Sequence, residues 1–129
     1  MSKVLKDSIQ KTILQGRACA DEYGYCSFRS SDLRQKCAVG QLIPNKKYDV
    51  KIEGLSIKKL FAKGLMYKKY GKLTAKKDFQ LQTLQDAHDC ANHDPNYFVE
   101  DFIDTIRGSV ADGDLPEICL TYIEEVQCH

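Results

Sequence analysis

Two short stretches of this chain hold side chains able to do chemistry. In Lys36-Cys37-Ala38-Val39-Gly40-Gln41-Leu42-Ile43-Pro44 a thiol leads an apolar run. A cysteine at the start of a helix has its thiolate favoured by the helix dipole, and Lys36 beside it acts in the same direction, so Cys37 could be a nucleophile. In Asp86-Ala87-His88-Asp89-Cys90-Ala91-Asn92-His93-Asp94 the two internal histidines lie among carboxylates. Nucleophilic catalysis needs a base within reach of the thiol, and His88 with Asp89 beside it would supply one. A hydrolase or transferase built on Cys37, His88 and Asp89 is therefore one reading. The other places Cys37, Ala38, Val39 and Leu42 in the core, with Gly40 admitting a close backbone and His88 a core or hydrogen-bonding residue.

The same residues argue against a metal. Five residues separate His88 from His93, which sets their imidazoles about 140° apart around a helix, whereas a ligand pair on one face wants a spacing of four. The six cysteines include no C-x-x-C pair. No cofactor motif is present, and neither a metal nor a cofactor is expected.

A third candidate is electrostatic. Lys58, Lys59, Lys63, Lys68, Lys69, Lys72, Lys76 and Lys77 fall between Ser56 and Asp78 with no acid among them, interleaved with Phe61, Tyr67 and Tyr70. Cations among aromatics suit phosphate contact and base stacking. A solvated helix face is the plainer alternative, and lysine without arginine is poor at bidentate readout. The candidate ligand-binding set is Arg29, Lys36, Lys68, Lys69, Lys72 and His88.

The lysines belong to a wider asymmetry. Residues 1–78 carry 18 basic and 7 acidic side chains, while residues 79–129 carry Arg107 against 11 acids. A near-neutral total thus hides two oppositely charged halves, able to steer a charged partner or to attract each other. The acidic residues from Glu100 to Glu125 are compatible with docking on a basic protein surface.

The elements that must position these groups follow from periodicity. Val4, Leu5, Ile9, Ile13 and Leu14 predict a helix over residues 3–15, stopped by Gly16. Residues 25–29 and 35–39 read as a β-hairpin around Ser30-Ser31-Asp32-Leu33-Arg34, and residues 38–43 as a short helix or buried turn ending at Pro44. Ser56 caps a helix carrying Ile57, Leu60, Phe61, Leu65 and Met66, interrupted at Gly64 and ended near Gly71. Thr74 caps the next, with Phe79, Leu81, Leu84, Ala87, His88 and Ala91 as a broad buried stripe. Asp94-Pro95 opens a helix with Phe98, Val99, Phe102, Ile103 and Ile106, and Leu115-Pro116 opens a last one. The expected fold is α+β, predominantly helical, with about five helices and one small β-hairpin. At 129 residues it is expected to be a single domain over residues 1–129. Without an apolar run of membrane length or an export signal, a cytoplasmic location with reduced thiols is expected.

At Cys26-Ser27-Phe28-Arg29, Cys37-Ala38-Val39-Gly40-Gln41-Leu42-Ile43-Pro44, Tyr48-Asp49, Glu53-Gly54 and Leu84-Gln85-Asp86-Ala87-His88-Asp89, the chain resembles a family of small uncharacterised phage and prophage proteins with a C-A-V-G-x-L-I-P motif. The likeness spans about residues 15–94. It implies a setting in the host-cell cytoplasm and, by analogy, a counter-defence role. The resulting expectation is a non-catalytic binding protein that sequesters an anionic nucleotide signal or blocks a host defence protein. A nucleic-acid-binding accessory protein is a further alternative to the enzyme, and self-association stays open. No membrane partner is expected.

Overall fold

A computed structural model describes residues 3–19, 27–30 and 34–108, with residues 116, 117 and 119. Among them are four α-helices: α1 (Lys3–Gln15), α2 (Ile57–Ala62), α3 (Ala75–Cys90) and α4 (Phe98–Arg107). Single 3₁₀ turns lie at Gly40–Leu42, Asn45–Lys47, Val50–Ile52 and Lys68–Tyr70. No helix here is long and apolar enough to cross a membrane.

Helix α1 forms where the periodicity places it. Val4, Ser8 and Thr12 recur every fourth residue beside Leu5, Ile9 and Ile13, and all six are buried on one face. Gly16, at φ 78°, ends the helix in the left-handed region that glycine occupies without strain, its N–H returning to the Thr12 carbonyl at 3.2 Å. Helix α2 is shorter than its apolar pattern suggests. Gly64, at φ 68°, donates to the Phe61 carbonyl at 3.1 Å and Leu65 donates to the Leu60 carbonyl at 3.0 Å, a Schellman closure that releases Leu65 and Met66 into a loop. The Thr74 hydroxyl accepts the Lys77 N–H at 3.1 Å and starts α3. Helix α4 begins later than Asp94-Pro95 suggests, because the Asp94 side chain accepts the Asn96 N–H at 3.0 Å and closes a turn first.

Among the described residues no strand of the expected hairpin forms, so the α+β expectation gives way there to an all-helical arrangement. Residues 25, 26 and 31–33 lie outside the description; across the rest only one isolated bridge pairs Arg29 with Lys36. The bridge is held by the Ser30 N–H on the Gln35 carbonyl at 3.0 Å and the Cys37 N–H on the Phe28 carbonyl at 3.2 Å. On the opposite edge of Lys36 the Gln15 side chain of α1 accepts its N–H at 2.8 Å and donates to its carbonyl at 2.9 Å, and the pairing goes no further because the chain turns away after Cys37. Beyond Cys37 the chain coils, with the Gln41 N–H on the Cys37 carbonyl at 3.0 Å. The count of about five helices is corrected to four described; the expected final helix lies outside the described residues except at residues 116, 117 and 119, where Cys119 is buried.

The core has two lobes. One joins Leu5 and Ile9 of α1 to Leu84 and Ala87 of α3 and to Phe98, Phe102, Ile103 and Ile106 of α4. The other gathers Cys37, Val39, Leu42 and Ile43 with Leu60, Met66, Tyr70 and Leu81. Gly40 is indispensable between them, since a Cβ there would lie 2.1 Å from the Phe28 carbonyl oxygen.

Candidate functional site

The thiol and the imidazole are both interior and both engaged. Cys37 is 1% exposed, and its sulfur accepts the Gly40 N–H at 3.2 Å. Burial pushes its pKa far above the ordinary thiol range, the Gly40 N–H recovers part of that shift, and the nearby Cys19 and Asp89 add to it. The turn dipole inferred from sequence is thus outweighed by desolvation. His88 is 0% exposed. Its Nε2 accepts the Cys19 backbone N–H at 2.9 Å, which fixes the proton on Nδ1, and Nδ1 donates to Asp89 Oδ1 at 2.8 Å. The same carboxylate oxygen accepts Gln85 Nε2 at 2.8 Å, and Gln85 Oε1 accepts the Val39 N–H at 3.0 Å. His88 is therefore the centre of a polar tie that fastens the loops at Cys19 and Val39 to α3. Neither ring nitrogen is left for the Cys37 thiol.

His93 lies exposed at the end of α3, with Nε2 3.1 Å from the Asp89 carbonyl. No three metal-capable side chains converge among the described residues. Cys37, Cys90 and Cys119 are free thiols, and burial pushes Cys119 up to about 12.

Arg29 is equally internal at 6% exposure. Its guanidinium donates to the Ile43 carbonyl at 2.9 Å and stacks 4.5 Å from the Tyr48 ring centre. Glu53 clamps the same corner, accepting the Phe28 N–H at 2.8 Å and the Tyr48 hydroxyl at 2.6 Å. Burial and then the Glu53 hydrogen bond raise Tyr48 to about 12. Lys36, half-buried, reaches Asn45 Oδ1 at 3.3 Å, and desolvation followed by the charges of Arg29 and Lys11 lowers its pKa. These two cations stiffen the motif region.

The lysine segment is different, because its side chains edge an open groove. Between α2 and α3 runs a hollow of about 710 Å³ lined by Lys58, Phe61, Ala62, Gly71, Lys72, Leu73, Thr74, Ala75, Asp78, Phe79 and Gln82. A smaller one of about 250 Å³ is lined by Phe61, Gly64, Met66, Tyr67, Lys68, Gly71 and Lys72. Phe61, Gly71 and Lys72 are common to both, so the two hollows adjoin. Phe79 is 73% exposed on this groove rather than buried. It stands two residues before buried Leu81, about 200° around α3, and so cannot share its face.

The cations divide by task. Lys77 donates to the Tyr70 carbonyl at 2.6 Å and the Lys72 carbonyl at 2.8 Å, pinning the loop to α3. Lys69 sits 3.6 Å from the Asp7 carboxylate and 5.3 Å from the Tyr67 and Tyr70 ring centres. Tyr70 also donates to Asp7 at 3.0 Å; burial, then that bond, raises its pKa. Lys58, Lys68 and Lys72 border the hollows and enter no ion pair among the described residues. Of the six residues expected to bind ligand, the structure brings together Lys68 and Lys72 and buries Arg29 and His88 elsewhere. Lys58 lies in the lysine run singled out from sequence but outside the six-residue ligand set; Asp78 and Phe79 were missed, and Phe79's 200° offset from Leu81 was the available signal.

No protein-family model, curated protein or solved structure matches the chain.

Proposed function

We propose that this protein is a non-catalytic binder of an anionic nucleotide, held in the groove between α2 and α3. The observation that carries the reading is the pairing of an exposed aromatic, Phe79, with Lys58 and Lys72 around a hollow of about 710 Å³. That volume falls within the roughly 300–1,000 Å³ of small-molecule sites. An apolar floor at Phe61 and Leu73 accepts a planar ring, and stacking on an aromatic contributes about 1–3 kcal/mol per base. The lysines meet phosphate charge, and the positive end of α3 at Thr74 and Ala75 adds to them. In the phage setting that the resemblance implies, such a binder sequesters a nucleotide signal used by host defence.

A Cys37-centred enzyme is the weaker reading, because the buried thiol faces the Gly40 N–H and both His88 nitrogens are bonded elsewhere. Titration of the protein with a nucleotide carrying a fluorescent N-methylanthraniloyl group tests the groove. Replacing Lys58 and Lys72 together by Gln weakens binding about tenfold, about 1.4 kcal/mol, with the nucleotide recovered intact. Unchanged affinity in that double variant overturns the assignment.

A further inference from the structure

We infer that the groove selects guanine among the bases, with Asp78 as the residue that reads it; the inference rests on the nucleotide reading above. Among the described residues that line the hollow, Asp78 is the one carboxylate, and the other charged side chains are Lys58 and Lys72. A carboxylate there opposes the capture of phosphate, so it calls for a different part of the ligand. Asp78 stands next to Phe79 on α3, beside the aromatic ring that a base would cover. Gln82, one turn later, donates from Nε2 to Asp78 Oδ1 at 3.0 Å and fixes the carboxylate. The other oxygen takes no bond among the described residues, and no cation lies within ion-pair distance of it.

An ionised carboxylate only accepts hydrogen bonds, and its two oxygens suit two neighbouring donors. Guanine presents that edge, with N1–H beside the exocyclic amino group. Adenine and cytosine each place a ring acceptor beside their amino donor, and uracil flanks one donor with two acceptors, so each sets a lone pair against the carboxylate. Lys58, Lys68 and Lys72 then hold the phosphates at the groove rim. Phe79 supplies stacking without choosing between bases, Asp78 supplies the choice, and Gln82 is a positioning residue.

Calorimetric titration of the full chain with GTP, ITP and ATP tests this without any substitution. GTP binds about tenfold or more tightly than ATP, and ITP, which lacks the amino group, falls between them. Asp78→Asn lowers GTP affinity and raises that for XTP, whose N1–H beside a carbonyl matches a carboxamide. Thermal melting checks that this first-turn change leaves the fold intact. GTP and ATP binding within twofold of each other overturns the inference, as does a GTP-to-ATP ratio unchanged by Asp78→Asn. Equal binding of both that still requires Lys58 and Lys72 leaves the groove reading standing while the guanine inference falls. Binding of no nucleotide overturns both.

Discussion

His88 Nε2 and the Cys19 N–H, 69 positions apart in sequence, meet at 2.9 Å inside the protein. This bond turns a plausible catalytic base into a structural tie, because the nitrogen that would take a proton already accepts one from the backbone. His88→Ala leaves a cavity and orphans the Cys19 N–H. It should lower stability by about 3 kcal/mol in urea denaturation while nucleotide affinity of the folded fraction stays unchanged.

Gly40 gives the second prediction. A Cβ at this position would sit 2.1 Å from the Phe28 carbonyl, a backbone atom held by the Glu53 clamp on the Phe28 N–H. Gly40→Ala should therefore cost about 3 kcal/mol, read as a fall in Tm.

The pH dependence has a definite sign. Cys37 and Cys119 are raised from 9.0 and Tyr48 from 10.0, all chiefly by burial, so the folded state keeps protons that the unfolded chain releases. Their stabilisation is complete below about pH 9 and is lost as pH rises toward the folded values. The urea midpoint should fall between pH 8.5 and pH 11. In Cys37→Ala that fall becomes shallower; an unaltered slope would refute a role for the thiol. Iodoacetamide should modify exposed Cys90 in the native protein and Cys37 only on unfolding.

The lysines separate in a fourth prediction. Lys72→Gln should weaken nucleotide binding and flatten its salt dependence, since one fewer cation meets phosphate. Lys69→Gln should do so less, because Lys69 is turned to Asp7 and the Tyr67 and Tyr70 rings. Equal losses from both would place the anion on the Tyr67 side.

Local signals made much of the fold legible. The bounds of α1 follow from its four-residue periodicity and Gly16, and the buried stripe Phe98, Phe102, Ile103 and Ile106 was visible in sequence. What escaped depended on partners distant in sequence. The strand expected over residues 35–39 stops at Cys37, because the Ser8 hydroxyl donates to the Ala38 carbonyl and Gln85 Oε1 accepts the Val39 N–H, partners 30 and 46 positions away that no pattern within residues 25–39 reveals. Arg29 was read as a ligand cation but is held by the Ile43 carbonyl and Tyr48. At the groove, the lysine run was apparent, whereas its division into Lys77 as a staple, Lys69 as an ion-pair partner and Lys58, Lys68 and Lys72 as the rim required the fold.

The proposed function places the ligand in the α2–α3 groove and not at the cysteine motif. A ¹⁵N–¹H correlation titration of the native protein with GTP tests this residue by residue. The largest shifts should cluster at Gly71, Ala75, Phe79 and Gln82, with Val39, Gly40 and Asp89 nearly still. Shifts concentrated at Val39, Gly40 and Asp89, with the groove unmoved, would contradict it.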